Sequence, residues 1–129
     1  MRNDIYGVYN NSEYRIGKRG EDWVNLCSKD SNDLKNGFIL YKGLIYIKTV
    51  KLSELSGIYS IKTYANYKNY KCQVLKEQND KLLLHAIIGD YKICEALGFE
   101  MVDRGVYNKW VNLKDVDEIY EEKNKIDEV

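Results

Sequence analysis

Few side chains in this sequence could drive a reaction, and each sits where packing or capping explains it. The single histidine, His85, lies in Leu82-Leu83-Leu84-His85-Ala86-Ile87-Ile88, where strand alternation sets it beside Leu83 and Ile87 on one face. A catalytic histidine needs a nucleophile or an orienting acid within hydrogen-bond reach. The local sequence supplies neither, so His85 reads as a packed histidine. Cys27, Cys72 and Cys94 are an odd number with no pair at metal-ligand spacing, which suits buried free thiols in a reducing compartment rather than a disulfide framework or a zinc site. A cysteine nucleophile would need a base that only His85 could provide. Asp30 and Asp90 could form a carboxylate pair, but each stands where a helical turn begins and an N-cap is wanted. No phosphate-cradling glycine loop or nucleophile elbow occurs. The expectation is a protein with no catalytic residue, no cofactor and no metal.

Composition narrows the remaining classes. The 129 residues make one ordinary domain or two very small ones, and 44% hydrophobic with 12% aromatic residues is enough for a packed core. No apolar run approaches 18 residues, which argues against a membrane span. Lys plus Arg and Asp plus Glu both count 20, so no basic excess exists to hold a nucleic-acid backbone. Met1-Arg2-Asn3-Asp4-Ile5 does not read as a secretory signal, and the expected compartment is the cytoplasm. Twelve tyrosines and no proline stand out. Tyrosine suits both a core and an interaction surface, because the ring buries area while the hydroxyl stays wet; codon bias is a third source of the surplus.

The chain matches itself. At an offset of 61, Gly37, Phe38, Tyr46, Lys48, Val50, Leu52, Ile58 and Tyr59 recur as Gly98, Phe99, Tyr107, Lys109, Val111, Leu113, Ile119 and Tyr120. Chance identity of roughly 6% per position would give one or two matches over such a stretch. Upstream, Tyr6 and Tyr9 match Tyr64 and Tyr67, and Asp30 matches Asp90. A period near 60 is too long and two copies too few for a stacked solenoid, so the organisation is two tandem domains, residues 1–61 and 62–122, with an acidic tail at 123–129.

Within the first copy, Tyr6 to Ile16 holds Tyr6-Gly7-Val8-Tyr9 and Tyr14-Arg15-Ile16 around the turn-prone Asn10-Asn11-Ser12, and with Trp23 to Leu26, Gly37 to Tyr41, Leu44 to Val50 and Ile58 to Ile61 it reads as short strands, five in count, with Lys42-Gly43 as a two-residue turn. The second copy repeats this with Tyr64 to Leu75, Lys81 to Ile88, Phe99 to Val102, Val106 to Val111 and Ile119-Tyr120. Tyr91 to Leu97, between a capping Asp90 and a stopping Gly98, predicts a short helix; its counterpart Ser31 to Asn36 allows one capped turn. The fold class is all-β with one short helix, two five-stranded barrels of the Src-homology-3 and Tudor type. A 60-residue unit buries only about 60% of its unfolded surface, so the two copies are expected to pack together.

The strand pattern, Tyr46-x-Lys48-x-Val50-x-Leu52-x-Glu54-Leu55 leading to Ile58-Tyr59 after a Tyr-x-x-Tyr motif, resembles small bacterial immunity proteins that accompany polymorphic and contact-dependent growth-inhibition toxins. The resemblance implies such a barrel fold and a cytoplasmic protein that binds one cognate toxin, a nuclease for instance, as a one-to-one heterodimer, blocking its active site or substrate approach. It carries over no binding residue, because those surfaces differ from pair to pair.

Charge distribution suggests where a partner would dock. Residues 115–129 hold 2 basic and 7 acidic side chains, and an acidic stretch can steer a basic partner such as a nuclease cleft. The candidate interface is Tyr107, Asp115, Asp117, Glu118, Tyr120, Glu121 and Glu122; the plain alternative for the tail, including Asp127 and Glu128, is a solvated, frayed end. The opposite signal, Lys62, Tyr67, Lys68, Tyr70 and Lys71, interleaves cations and aromatics as base stacking over a phosphate-tracking groove requires. That second reading makes the chain a nucleic-acid- or peptide-binding Tudor-like module, although the matched tyrosines also fit barrel positions. A third, an inhibitor of a host defence complex encoded by a phage, uses the same occlusion physics. No membrane or small-molecule substrate is expected.

Overall fold

Alternation of inward and outward side chains builds nearly every element of the structure, a computed structural model that describes residues 1–126. The strands are β1 (Asp4–Tyr9), β2 (Ser12–Arg19), β3 (Trp23–Ser28), β4 (Ile39–Tyr41), β5 (Ile45–Lys51), β6 (Gly57–Tyr67), β7 (Tyr70–Gln78), β8 (Lys81–Ala86), β9 (Glu100–Asp103), β10 (Val106–Asn112) and β11 (Asp117–Lys125). A single α-helix among the described residues, α1 (Tyr91–Ala96), and short 3₁₀ turns complete the chain, so the protein is all-β with one short helix. Among the described residues no helix is long and apolar enough to cross a membrane.

Two compact units emerge. One comprises Asp4–Ile61 with the chain from Lys123 onward, the other Met1–Asn3 with Lys62–Glu122. We call them the first and second copy. The chain passes from one to the other inside β6 and again inside β11, so Lys123–Lys125 are strand rather than the start of a free tail. In the first copy the strands pair in the order β4-β5-β3-β2-β1-β6, and in the second β6-β7-β8-β10-β9, with β11 also on β6. All pairings with a recorded register are antiparallel.

Tyr6 to Ile16 is two strands about the expected Asn10-Asn11 turn, and Tyr64 to Leu75 is likewise two strands folded back on each other. The first turns at Asn10-Asn11, φ 50° and 63°, and the second at Lys68-Asn69, φ 48° and 69°. Two positive φ values in a row make the left-handed turn whose twist matches a hairpin. Asparagine adopts them readily and lysine does not, which is why Lys68 gave no turn signal. The count is therefore six strands per copy instead of five. A bulge interrupts the β2–β3 pair after Ile16 and the β7–β8 pair after Val74, positions that match in the repeat.

Helical turns lie where the caps placed them. Asp90 Oδ1 accepts from Lys92 N at 2.9 Å ahead of α1, and Asp30 Oδ1 accepts from Asn32 N at 2.9 Å ahead of a 3₁₀ segment, Ser31–Asn36, longer than the one turn expected. Each is closed by the same device. Gly37 and Gly98, at φ 88° and 85°, end the turn in the left-handed region. Beside them Lys48 Nζ donates to Asn36 O at 2.8 Å, and Lys109 Nζ donates to Leu97 O at 2.9 Å. A Cβ on either glycine would lie 2.9 or 2.8 Å from that lysine nitrogen. The repeated Gly-Phe and Lys are thus one closure used twice, with Phe38 and Phe99 buried in the two cores.

The first core gathers Ile16, Val24, Leu26, Phe38 and Val50, and the second gathers Tyr67, Val74, Leu82, Leu84, Phe99 and Val111 among others. Fully burying one such side chain is worth about 1.5–3 kcal/mol.

Candidate functional site

The structure places the acidic residues from Asp115 to Glu122 and finds most already answered within the second copy. Arg2 forks onto Glu121, Nη2 to Oε1 at 2.8 Å and Nε to Oε2 at 3.0 Å, and this bond holds the Glu121 carboxyl below the usual carboxylate range. Lys71 Nζ donates to Glu122 Oε2 at 2.6 Å, which raises the lysine pKa. Asn66 Nδ2 donates to Glu118 Oε2 at 3.3 Å and Asn112 Nδ2 to Asp115 Oδ2 at 3.4 Å, while Asp117 is exposed. Tyr107 is half-buried against the second core, and the half-buried Tyr120 ring sits 6.1 Å from that of Tyr64. Asp127 and Glu128 lie outside the described residues.

Lys71 belongs to the basic-aromatic segment, so the two sequence candidates meet and neutralise each other there. Tyr67, at 4% exposure, is core. Its ring cannot serve as a stacking platform, because base stacking needs an open π-face. Lys68 Nζ lies 5.3 Å from that ring's centroid; Lys62 is exposed and Tyr70 half-buried.

The groups that resembled catalytic residues are also accounted for. His85 does not face the core: Leu82, Leu84 and Ala86 take the inward register of β8, leaving His85 half-buried on the outer side with Nδ1 3.0 Å from Asn108 Oδ1. Alternation fixes which residues share a face but not which face turns inward. All three cysteines are buried free thiols. Burial pushes the Cys72 thiol up to about 11, far from the thiolate needed for attack. Among the described residues no group of His, Cys, Asp and Glu could hold a metal.

One buried polar centre escaped the sequence reading. The Asp33 carboxylate accepts hydrogen bonds from Ser28 Oγ, from Asn36 Nδ2 at 2.9 Å and from Tyr14 Oη at 3.1 Å. These bonds, that from Ser28 above all, hold its pKa below the usual range despite burial. The matching second-copy positions are Ala86, Cys94 and Cys72, all in the second core, so the same place is filled there by apolar packing.

An open hollow lies on the first copy, on the outer side of β2, β3, β5 and β4. Trp23, Ile39, Tyr41, Ile45 and Ile47 line a hollow of about 760 Å³ together with Arg15 and Lys18, and no acid is among its lining. The bulge after Ile16 re-aims Gly17 and Lys18 toward it, which is a common use of bulges beside sites. At the corresponding place on the second copy, a hollow of about 480 Å³ is lined by Leu83, Glu100, Val102, Asn108, Lys109 and Trp110 with Gly98. The hairpin reading of Ile39-Leu40-Tyr41 did not say which way its side chains face; the available signal for the hollow was that all three, with Leu44, lack a polar alternate.

Comparison with known proteins gives one family. The model described as uncharacterised conserved protein UCP033725 matches residues 1–127. The chain belongs to that family. The match runs through both copies. No curated protein and no solved structure matches the chain.

In the first copy Lys48 closes a turn and Asp33 takes buried hydrogen bonds, while the outer hollow presents apolar area and two cations that a partner could cover. Apolar patches rimmed by polar groups are where proteins meet partners.

Proposed function

We propose that the chain is a binding protein of the immunity kind, which neutralises one cognate toxin by covering its active site or substrate approach. In this reading each copy is a small Src-homology-3-like barrel, an arrangement supported by the 3₁₀ turns at Leu52–Glu54 and Leu113–Asp115 directly before the last strand of each copy. The observation that carries the proposal is the unpaired outer face of the first copy, with Ile39 67% and Tyr41 48% exposed beside Arg15 and Lys18. Such a face costs solubility unless something binds it. The acidic stretch contributes less than its charge suggested, since Glu121 and Glu122 already hold internal partners, and rim ion pairs chiefly tune encounter.

The test is protection. Co-expressed with the toxin domain encoded beside it, the protein should restore growth of a sensitive host, and the two should co-purify one to one. If the pair is co-produced in soluble form and growth still fails, the proposal is wrong.

A further inference from the structure

We propose that β4 is a docking edge: an extended partner segment with alternating apolar and acidic side chains adds to it as a further strand. This rests on the binding-protein reading and says which part of the surface, and what chemistry of partner, it uses.

β4 ends the pairing order of the first copy and bonds only β5, through Ile39↔Ile47, Leu40↔Tyr46 and Tyr41↔Ile45. Its other edge leaves backbone N–H and C=O groups without a strand partner. All three of its residues are exposed and none is charged. Proteins ordinarily blunt a free edge with lysine, proline, a bulge or a cover, because a bare apolar edge pairs with whatever strand arrives. The second copy follows that rule. Its equivalent, β9, carries Glu100 and Asp103 at its two ends, and its pairing with β10 is interrupted between Val106 and Tyr107. At the matched positions the first copy has Ile39 where the second has Glu100, and Lys42, the match of Asp103, falls just past the end of β4.

Strand addition draws affinity from main-chain bonds and specificity from pockets for alternate side chains. Here Ile39 and Tyr41 form one wall of the 760 Å³ hollow, and Trp23, Ile45 and Ile47 extend its apolar lining. Every second residue of an added strand would point into that hollow. Arg15 and Lys18 supply its charge, with no acid in the lining; the nearest answer, Asp4 Oδ2, is 4.0 Å from Arg15 Nη1. An incoming carboxylate is therefore the complement. A second copy offering its own β4 would bring Ile39-Leu40-Tyr41-Lys42, which adds a cation and no carboxylate.

The test titrates ¹⁵N-labelled full-length protein with a ten-residue peptide alternating valine and glutamate, and with the matching valine–lysine peptide. Amide shifts should centre on residues 39–41 and the strands lining the hollow, and the glutamate peptide should bind at least tenfold more tightly than the lysine peptide. Both I39E and the double variant R15E/K18E change exposed or half-exposed positions; with circular dichroism unchanged, each should weaken glutamate-peptide binding at least fivefold. No shift at β4, equal binding of the two peptides, or shifts centred on β9 overturns the proposal. So does concentration-dependent self-association that disappears in I39E, which would make a second copy the occupant. Toxin binding, measured in parallel with the same variants, tells the two levels apart: toxin bound equally by wild type and I39E removes the docking edge and leaves the binding-protein reading, whereas toxin not bound at all removes that reading whatever the peptides do.

Discussion

Lys109 Nζ donates to the Tyr67 hydroxyl at 2.9 Å and lies 5.2 Å from the centre of the same ring, while also closing the helical turn at Leu97 O. This bond draws the Tyr67 hydroxyl pKa below its ordinary value. The first copy repeats the relationship in weaker form, with Lys48 Nζ 5.0 Å over the Tyr9 ring and bonded to Asn36 O. Tyrosine, glycine and lysine therefore recur in the sequence because together they fasten a helical turn to a sheet.

Lys109→Met should destabilise the protein by about 1.5–3 kcal/mol, the range for hydrogen bonds to charged groups. Lys48→Met should cost less, since Lys48 has one such bond and a ring contact. Urea unfolding of the two variants checks the order. Equal and negligible losses would show that the lysines only decorate the closure.

Gly98→Ala should cost about 1–2 kcal/mol, because alanine at φ 85° is strained and its Cβ displaces the Lys109 ammonium. Combined with Lys109→Met, the losses should be less than additive, as expected for residues sharing one interaction. A double-mutant cycle reads this directly.

Asp33 predicts an acid limit. Its folded pKa lies below the unfolded value, so its stabilisation is complete above the unfolded pKa near 3.9 and is lost as pH falls through the lower folded value. Asp33→Asn should cost roughly 1–3 kcal/mol at pH 7, and the gap to wild type should shrink toward pH 2. Denaturant midpoints across that range test it; a gap that widens on acidification contradicts the assignment.

Cys72, Cys94 and Cys27 are buried, and burial raises all three thiols. Native protein at pH 8 should react with a thiol reagent at the rate of unfolding rather than of a free thiol, and all three should react at once in urea. Rapid native labelling of any one would place it at the surface.

Much of the fold was legible in residue spacing. Asp30 and Asp90 as caps and Gly98 as a stop depend on local backbone chemistry, and the duplication gave each a second witness; the two-residue turn expected at Lys42-Gly43 takes in Leu44 as well, since Tyr41 pairs with Ile45. Lys68-Asn69 was not legible, because lysine at positive φ is tolerated only where the hairpin around it fixes the turn. Nor was the orientation of β8, where His85 could have faced either way. The candidate interface fared worst for a physical reason: sequence reports the charge of Glu121 and Glu122, while only three-dimensional contact shows that Arg2 and Lys71 have answered it. Nor did Ile39-Leu40-Tyr41 show which way it faces, since an apolar run reads alike whether it is buried in a core or left at an edge.

Occlusion makes a stoichiometric demand that catalysis does not. Titrating a fixed amount of purified toxin domain with this protein and following the toxin's own activity should give a straight fall to zero at one equivalent. Undiminished toxin activity at several equivalents, or loss of activity at a small fraction of an equivalent, would contradict the account.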